Sequence, residues 1–277
     1  MSLKLYKATT PGRRGGSILD WSGLSVKTRT KKLSMILAKK SGRNVTGKVT
    51  VRHQGGRHKR FLRIIDWKRD KVGLGAKVVS IEYDPNRTAN IAQLLYPDGQ
   101  ISYILAPDGL VVDQTVMSGE TAPLTLGNAL PLRVIPSGTM VHNVEIVPGK
   151  GAQIVRTAGA SALVSGFEEN FALLKLPSGE IRRFKLNCMA TIGSLSNPEW
   201  KNVNFGFAGR KRRMGIRPTV RGVAQNPHSH PHGGGEGRSG EGMHPKTPWG
   251  KPARGNRTRQ KSKYSNKYLV TRRKSKT

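Results

Sequence analysis

The sequence predicts an all-β protein, with two small barrels set between two long, irregular, cationic arms. Three observations predict it. Charge is unevenly spread: residues 1–70 hold 19 Lys and Arg against 3 Asp and Glu, residues 71–200 hold 10 against 11, and residues 201–277 hold 20 against 2. The near-neutral middle is a succession of short apolar segments separated by turn residues, with almost no helical period, which is the pattern of small barrels. The outer segments carry too few apolar side chains to offset the entropy of ordering themselves, so they take their shape from a partner.

Taken in order, residues 1–30 are polar, with Pro11-Gly-Arg-Arg-Gly-Gly16 as a flexible basic turn. Residues 33–40 make one or two helical turns, stopped by Gly42, and a helix this short is marginal in water. Residues 48–53 alternate and read as a strand. They run into Gln54-Gly-Gly-Arg-His-Lys-Arg60, a glycine turn crowded with cations, and 61–66 read as the next strand. Residues 76–83 form a strand ended by the turn Asp84-Pro-Asn-Arg87. Residues 91–96 and 101–105 flank Pro97-Asp-Gly-Gln100, a hairpin signal, because proline presets the first turn position and glycine takes positive φ. Residues 125–132 read as a loop and a domain boundary. In the second set, 141–147 read as a strand ending at Pro148-Gly-Lys-Gly151, while 154–155 and 162–164 are short. Residues 171–176 and 180–186 pair across Pro177-Ser-Gly179, and 189–195 close the set. No sequence repeat relates the two sets. After Trp200 the chain reads as an irregular arm, with Arg210-Lys-Arg-Arg213, Arg217, Arg221, a histidine–glycine stretch, Thr247-Pro-Trp-Gly250 and a basic run over 254–276.

The formal net charge is +33. Nucleic acid is the cellular partner that supplies matching negative charge over so long a surface, and anionic membrane is the weaker rival because the arms lack amphipathic helices. Tyr264, Tyr268 and Trp249 interleave rings with cations, so that rings stack on exposed bases while arginines bind phosphate. The single cysteine, Cys188, forms no internal disulfide and reads as a small buried apolar residue. No run approaches the roughly 20 apolar residues of a membrane span. The N-terminus lacks an apolar signal core, so the expected address is the cytoplasm.

The stretch His228-Ser-His-Pro-His-Gly-Gly-Gly-Glu-Gly-Arg238 is neither helix nor core strand, since prolines and glycines interrupt it and no apolar side chain is present to bury. Three roles compete for its histidines. His228, His230 and His232 offer imidazole ligands for zinc, but no cysteine is near and only Glu236 adds a carboxylate. His230 has the titration range of a general base, but the chain supplies it with no nucleophile, carboxylate partner or pocket. Hydrogen bonding within an RNA complex asks least of the sequence. The pairs Gly55-Gly56 and Gly149-Lys-Gly151 lack the strand–loop–helix setting of nucleotide-binding loops and read as turns where backbone meets phosphate. His53 and His58 read as RNA contacts, and His142 as a structural barrel residue.

Several blocks together resemble the universal large-subunit ribosomal protein number two, in its bacterial form. They are Arg52-His-Gln-Gly-Gly-Arg-His-Lys-Arg60, Glu82-Tyr-Asp-Pro-Asn-Arg-Thr-Ala89, Gly127-Asn-Ala-Leu-Pro-Leu132, Val141-His-Asn143, Pro148-Gly-Lys-Gly151, Leu176-Pro-Ser-Gly-Glu180, Gly222-Val-Ala-Gln-Asn-Pro227 with His230-Pro-His-Gly-Gly-Gly-Glu-Gly-Arg238, and Thr247-Pro-Trp-Gly250. The resemblance runs from about residue 44 to the end, and 1–43 match loosely. It implies an OB-fold barrel over 60–128 and an SH3-like barrel over 129–200, with basic extensions over 1–59 and 201–277 buried in ribosomal RNA. It also implies a part in large-subunit assembly, in association with the small subunit and in supporting the peptidyl-transferase region. The family has an Asp before the first histidine of His-Pro-His, whereas this chain has Ser229 there, preceded by His228, so an Asp–His relay lacks its acid.

The expectation is a structural RNA-binding protein of the large ribosomal subunit that is not an enzyme and holds neither cofactor nor metal. Its expected RNA contacts are Arg52, His53, Arg57, His58, Lys59, Arg60, Arg87, Lys150, Arg210, Arg212, Arg213, Arg217, Arg221, Asn226, His230, His232, Arg238 and Trp249. Its expected partners are large-subunit ribosomal RNA, neighbouring ribosomal proteins and the small subunit, with no membrane, in a cytoplasmic or organellar ribosome. The rivals are a free-standing RNA chaperone and a participant in peptide-bond chemistry through His230.

Overall fold

A computed structural model describes residues 3–25 and 29–273. The end of the last basic run, 274–277, lies outside the described residues. The chain forms two compact units. One comprises Met1–Ala38, Lys59–Ala208 and Lys267–Thr277, and the other Lys39–His58 and Gly209–Asn266.

The first unit opens with an antiparallel pair, β1 (Leu3–Leu5) and β2 (Ser17–Leu19), and a second pair, β3 (Ser34–Ile36) and β4 (Phe61–Arg63). An OB-fold barrel follows. Its four-stranded sheet runs β7-β6-β5-β8, from β5 (Ala76–Glu82), β6 (Ile91–Leu95), β7 (Ile101–Leu105) and β8 (Thr115–Val116). Along β5, Ala76, Val78, Ser80 and Glu82 are buried while the residues between them are not, the period of two that a half-buried strand requires. Val78, Leu94, Ile104 and Val116 meet in one core cluster, and Ile91, Tyr103 and Leu105 in another. The hairpin between β6 and β7 closes where the Gly99 amide donates to the Tyr96 carbonyl, with Gly99 at φ 74°.

The second, SH3-like barrel is built from β9 (Ala129–Pro131), β10 (Met140–His142), β11 (Val144–Glu145), β12 (Ala152–Ile154), β13 (Ala162–Glu168), β14 (Phe171–Lys175), β15 (Ile181–Lys185) and β16 (Met189–Ile192). Its main sheet runs β15-β14-β13-β10-β16-β9, and β17 (Leu269–Thr271) adds to the free edge of β15. Leu130, Val141, Val164, Leu174, Phe184 and Cys188 fill its core. His142 is buried, with Nδ1 2.8 Å from the Gly193 carbonyl, and Cys188 is fully buried. Asn197, at φ 63°, donates from Nδ2 to the Thr88 carbonyl (2.8 Å) and to Asn90 Oδ1 (3.1 Å), which ties the end of the second barrel to the first.

Five expectations change. Residues 33–40 are not helical, because 34–36 pair with β4 and gain ladder hydrogen bonds that an isolated helical turn could not match. Residues 48–53 are not a strand. Val49 and Val51 are exposed, and the amides of Thr50 and Val51 both donate to the Gly42 carbonyl, closing a tight loop instead of a ladder. Residues 129–132 are not loop, since Ala129, Leu130 and Leu132 are buried in the second barrel. The strand read over 141–147 breaks at Asn143, whose φ of 50° turns the chain between β10 and β11. The C-terminal arm is not irregular throughout, because α1 (Ala208–Met214) and β17 lie in it.

Candidate nucleic-acid interface

The second unit brings together segments from the two ends of the chain. In α1 the run Ala-Gly-Arg-Lys-Arg-Arg-Met is rich in helix formers, and its last turn carries Lys211, Arg212 and Arg213, where cations favour the negative end of the helix dipole. Gly215, at φ 101°, ends it, and the Ile216 amide donates back to the Lys211 carbonyl at 3.2 Å. The N-terminal segment docks here. Gly55 donates to the Gly215 carbonyl (2.9 Å), His58 to the Arg213 carbonyl (3.0 Å), and Arg217 to the His53 carbonyl (3.0 Å). Arg52, His58, Arg212, Arg213 and Arg217 are exposed along this junction, while His53, Arg57 and Arg210 are half-buried. A Cβ on Gly215 would lie 2.8 Å from Arg57 Cβ, so the close approach depends on glycine.

The histidine–glycine stretch folds on itself in the same unit. Asn226 Oδ1 accepts the His228 amide (2.9 Å), and its carbonyl accepts the amides of Ser229 (2.8 Å) and His230 (3.2 Å). His230 and His232 are only 8% and 7% exposed. His230 Nδ1 accepts the His232 amide (3.1 Å), His232 Nε2 accepts the Lys246 amide (3.0 Å), and the two rings meet edge to face at 4.9 Å. The His230 ring lies against Gly222, where a Cβ would come within 2.6 Å of it. Arg221, Asn226, Arg238 and Trp249 remain exposed around this loop. Among the described residues no group of three or more His, Cys, Asp or Glu is placed to hold a metal ion.

The first unit carries the other candidates. Asp84 is fully buried and receives Arg87 Nε at 2.5 Å and the Asn86 amide at 2.9 Å. The Arg87 guanidinium then lies 5.6 Å from the Trp67 ring centroid, and Arg156 lies 4.5 Å from the same ring. Burial, and then the Arg87 charge, push the Arg156 guanidinium below its usual range. Glu145 is buried and accepts the amides of Gly151 (2.7 Å), Met189 (3.0 Å) and Gly149 (3.2 Å), which holds the loop that presents exposed Lys150. Gly151 packs against Trp67, whose carbonyl accepts the Ala152 amide at 2.8 Å. Lys59 is exposed, and Arg60, half-buried, accepts the Leu37 amide at its carbonyl.

The expected residues thus fall into two groups. Lys59, Arg60, Arg87 and Lys150 lie in the first unit, and the others in the second. Sequence reasoning missed Trp67 and Arg156. Trp67 carried a signal, an indole followed directly by Lys68 and Arg69, but Arg156 had no basic neighbour in sequence and joins the cluster only through the fold. Arg69, inside that same basic run, proves structural. It is buried and reaches the carbonyls of Met117 (3.3 Å) and Gly127 (3.4 Å).

No helix among the described residues is long and apolar enough to cross a membrane. Two family models match the chain. Residues 30–118 match the model described as Ribosomal Proteins L2, RNA binding N-terminal domain, and residues 125–250 match Ribosomal Proteins L2, C-terminal domain. These two matches span the OB-fold barrel, the SH3-like barrel and the histidine–glycine loop, and the chain belongs to the ribosomal protein L2 family, ribosomal proteins with an RNA-binding N-terminal domain.

Proposed function

We propose that the chain is a structural constituent of the large ribosomal subunit that binds large-subunit ribosomal RNA, supports assembly and association with the small subunit, and helps to organise the peptidyl-transferase region. The observation that carries this reading is the second unit. It holds 20 Lys and Arg against 2 Glu, from both ends of the chain, in one compact body. Like charge at that density opposes compaction, and a polyanion relieves it. The contacts assigned to RNA are Arg52, His53, Arg57, His58, Arg210, Arg212, Arg213, Arg217, Arg221, Asn226, His230, His232, Arg238 and Trp249 in this unit, with Lys59, Arg60, Arg87 and Lys150 in the other. The OB-fold domain is assigned to 60–128 and the SH3-like domain to 129–200, between extensions 1–59 and 201–277. Neighbouring ribosomal proteins complete its surroundings.

His230 is assigned a positioning role, not a catalytic one. Its ring is buried, its Nδ1 is engaged by the His232 amide, and residue 229 is a serine. A His230→Gln ribosome is expected to form peptide bonds at the normal rate and to assemble poorly. A defect at the chemical step would overturn that assignment.

The test of the whole reading is gradient sedimentation of lysate at two salt concentrations, following the chain by mass spectrometry. Co-migration with the large subunit through moderate salt is expected. Migration at the top of the gradient would favour a free-standing RNA chaperone.

A further inference from the structure

Trp21 and Tyr83 form an exposed ring pair in the first unit. Their centroids are 4.8 Å apart with planes inclined by 33°, and the two residues are 42% and 44% exposed. Trp21 lies outside both stretches matched to the family, while Tyr83 lies within the first.

Both rings stand on fixed backbone. Residues 20–25 form a turn in which Asp20 accepts the Ser22 amide (3.1 Å) and hydroxyl (3.0 Å), and the Trp21 carbonyl accepts the Leu24 amide (3.0 Å). That turn is stitched to β5, because the Ser25 amide donates to the Ile81 carbonyl (2.9 Å) and the Ile81 amide donates to Ser25 Oγ (3.2 Å). Tyr83 follows at the end of β5 between two buried carboxylates. Glu82 accepts from the Tyr103 hydroxyl and from Ser80 Oγ, both at 2.9 Å, and Asp84 holds Arg87 and the Asn86 amide. Strand alternation turns Glu82 and Asp84 inward and leaves Tyr83 outward. The pair is therefore ordered before any ligand arrives, so a ligand that stacks on it meets little ordering cost.

We propose that the Trp21–Tyr83 pair is a stacking platform for an unpaired RNA base, a contact separate from the cationic phosphate sites. The inference rests on the RNA-binding reading above. Charge decides the occupant. The segment of the first unit that supplies Trp21, residues 1–38, holds 8 Lys and Arg against the single acid Asp20, so this end of the chain draws nucleic acid. An unpaired base offers a flat face of matching size and needs no charge at the ring, and aromatic stacking of this kind tolerates any base.

The test uses the full chain and a large-subunit ribosomal RNA transcript, with dissociation constants measured over a series of salt concentrations in the presence of excess unrelated RNA. Trp21→Ala is expected to weaken binding about 5- to 150-fold without changing the slope of log affinity against log salt, because an indole releases no counterion. Trp21→Phe should recover most of the loss, and Tyr83→Leu should weaken binding with the same unchanged slope. Ultraviolet cross-linking should join a nucleotide to the peptide that contains Trp21. Wild-type affinity in both Trp21→Ala and Tyr83→Leu would overturn the platform and leave the RNA-binding reading standing. So would particles that carry Trp21→Ala and lose a neighbouring protein while RNA affinity is unchanged, since the pair would then be a protein contact. A wild-type chain without salt-dependent RNA binding would instead overturn the RNA-binding reading itself.

Discussion

The Gly55 amide donates to the Gly215 carbonyl at 2.9 Å, and this bond joins the N-terminal arm to the C-terminal arm. It sits between two partners of the same kind, His58 to Arg213 and Arg217 to His53. Two segments that each repel themselves are thereby held side by side, and their cations become one surface. Gly215 makes this approach possible, through a φ of 101° and the absence of a Cβ beside Arg57.

Gly215→Ala should separate the two arms. The left-handed backbone and the contact with Arg57 together cost about 1–3 kcal/mol. Hydrogen exchange should accelerate at the amides of Gly55, His58 and Arg217, while the barrel amides keep their protection. RNA affinity should fall in the same variant. Unchanged exchange at those three amides would show that the junction does not depend on this glycine.

Acid should weaken the second barrel through His142. Burial pushes its pKa from the ordinary 6.5 down to about 4, against the smaller opposing effect of the hydrogen bond to Gly193. Its Nε2 is buried without a hydrogen-bond partner among the described residues, so a proton there creates a poorly solvated charge. Because the folded pKa lies below the unfolded one, the unfolded state binds more protons between these two values. The stabilisation is complete above pH 6.5 and is lost as pH falls towards 4, a change of roughly 3 kcal/mol. Urea unfolding of wild type and His142→Gln at pH 7.5 and pH 5 measures it, and the variant should lose less stability than wild type over that interval.

Glu145→Gln should loosen the loop at 148–151. The carboxylate accepts three backbone amides, and the amide side chain offers one oxygen in place of two. The expected cost is about 1–3 kcal/mol for buried donors left without partners. Thermal unfolding should shift down, and RNA affinity should fall with it as Lys150 loses its support. Lys150→Ala alone should reduce the salt slope of binding by about one unit and leave stability unchanged.

Cys188 should be inert in the folded chain. Burial, with the nearby Glu145 charge second, pushes its thiol up to about 11. A thiol reagent at pH 8 should label it slowly in buffer and rapidly in denaturant. Fast labelling in buffer would mean that the second barrel opens readily.

The local pattern carried the two hairpins. Pro97-Asp-Gly-Gln100 and Pro177-Ser-Gly179 name their own turns, and the apolar residues on either side pair in register. His142 was legible as a barrel residue because it lies within a strand pattern, and Cys188 as a small buried residue because free cysteine behaves as a small hydrophobe. Uneven charge along the chain marked the arms as polyanion-seeking without any reference to fold.

Contacts between distant segments were decided by tertiary structure alone. Residues 34–36 become a strand because β4 offers a ladder, and 269–271 become one because β15 has a free edge. Arg156 joins Trp67 and Arg87, and Trp21 meets Tyr83, only once the chain has folded. The histidine stretch shows the division most plainly. Its residue types announced a binding segment, but the fold turned His230 and His232 inward and left Arg221, Asn226 and Arg238 outside. Periodicity and turn chemistry act over a few residues and can be read from them, whereas packing depends on which segments meet, and sequence spacing holds no record of that.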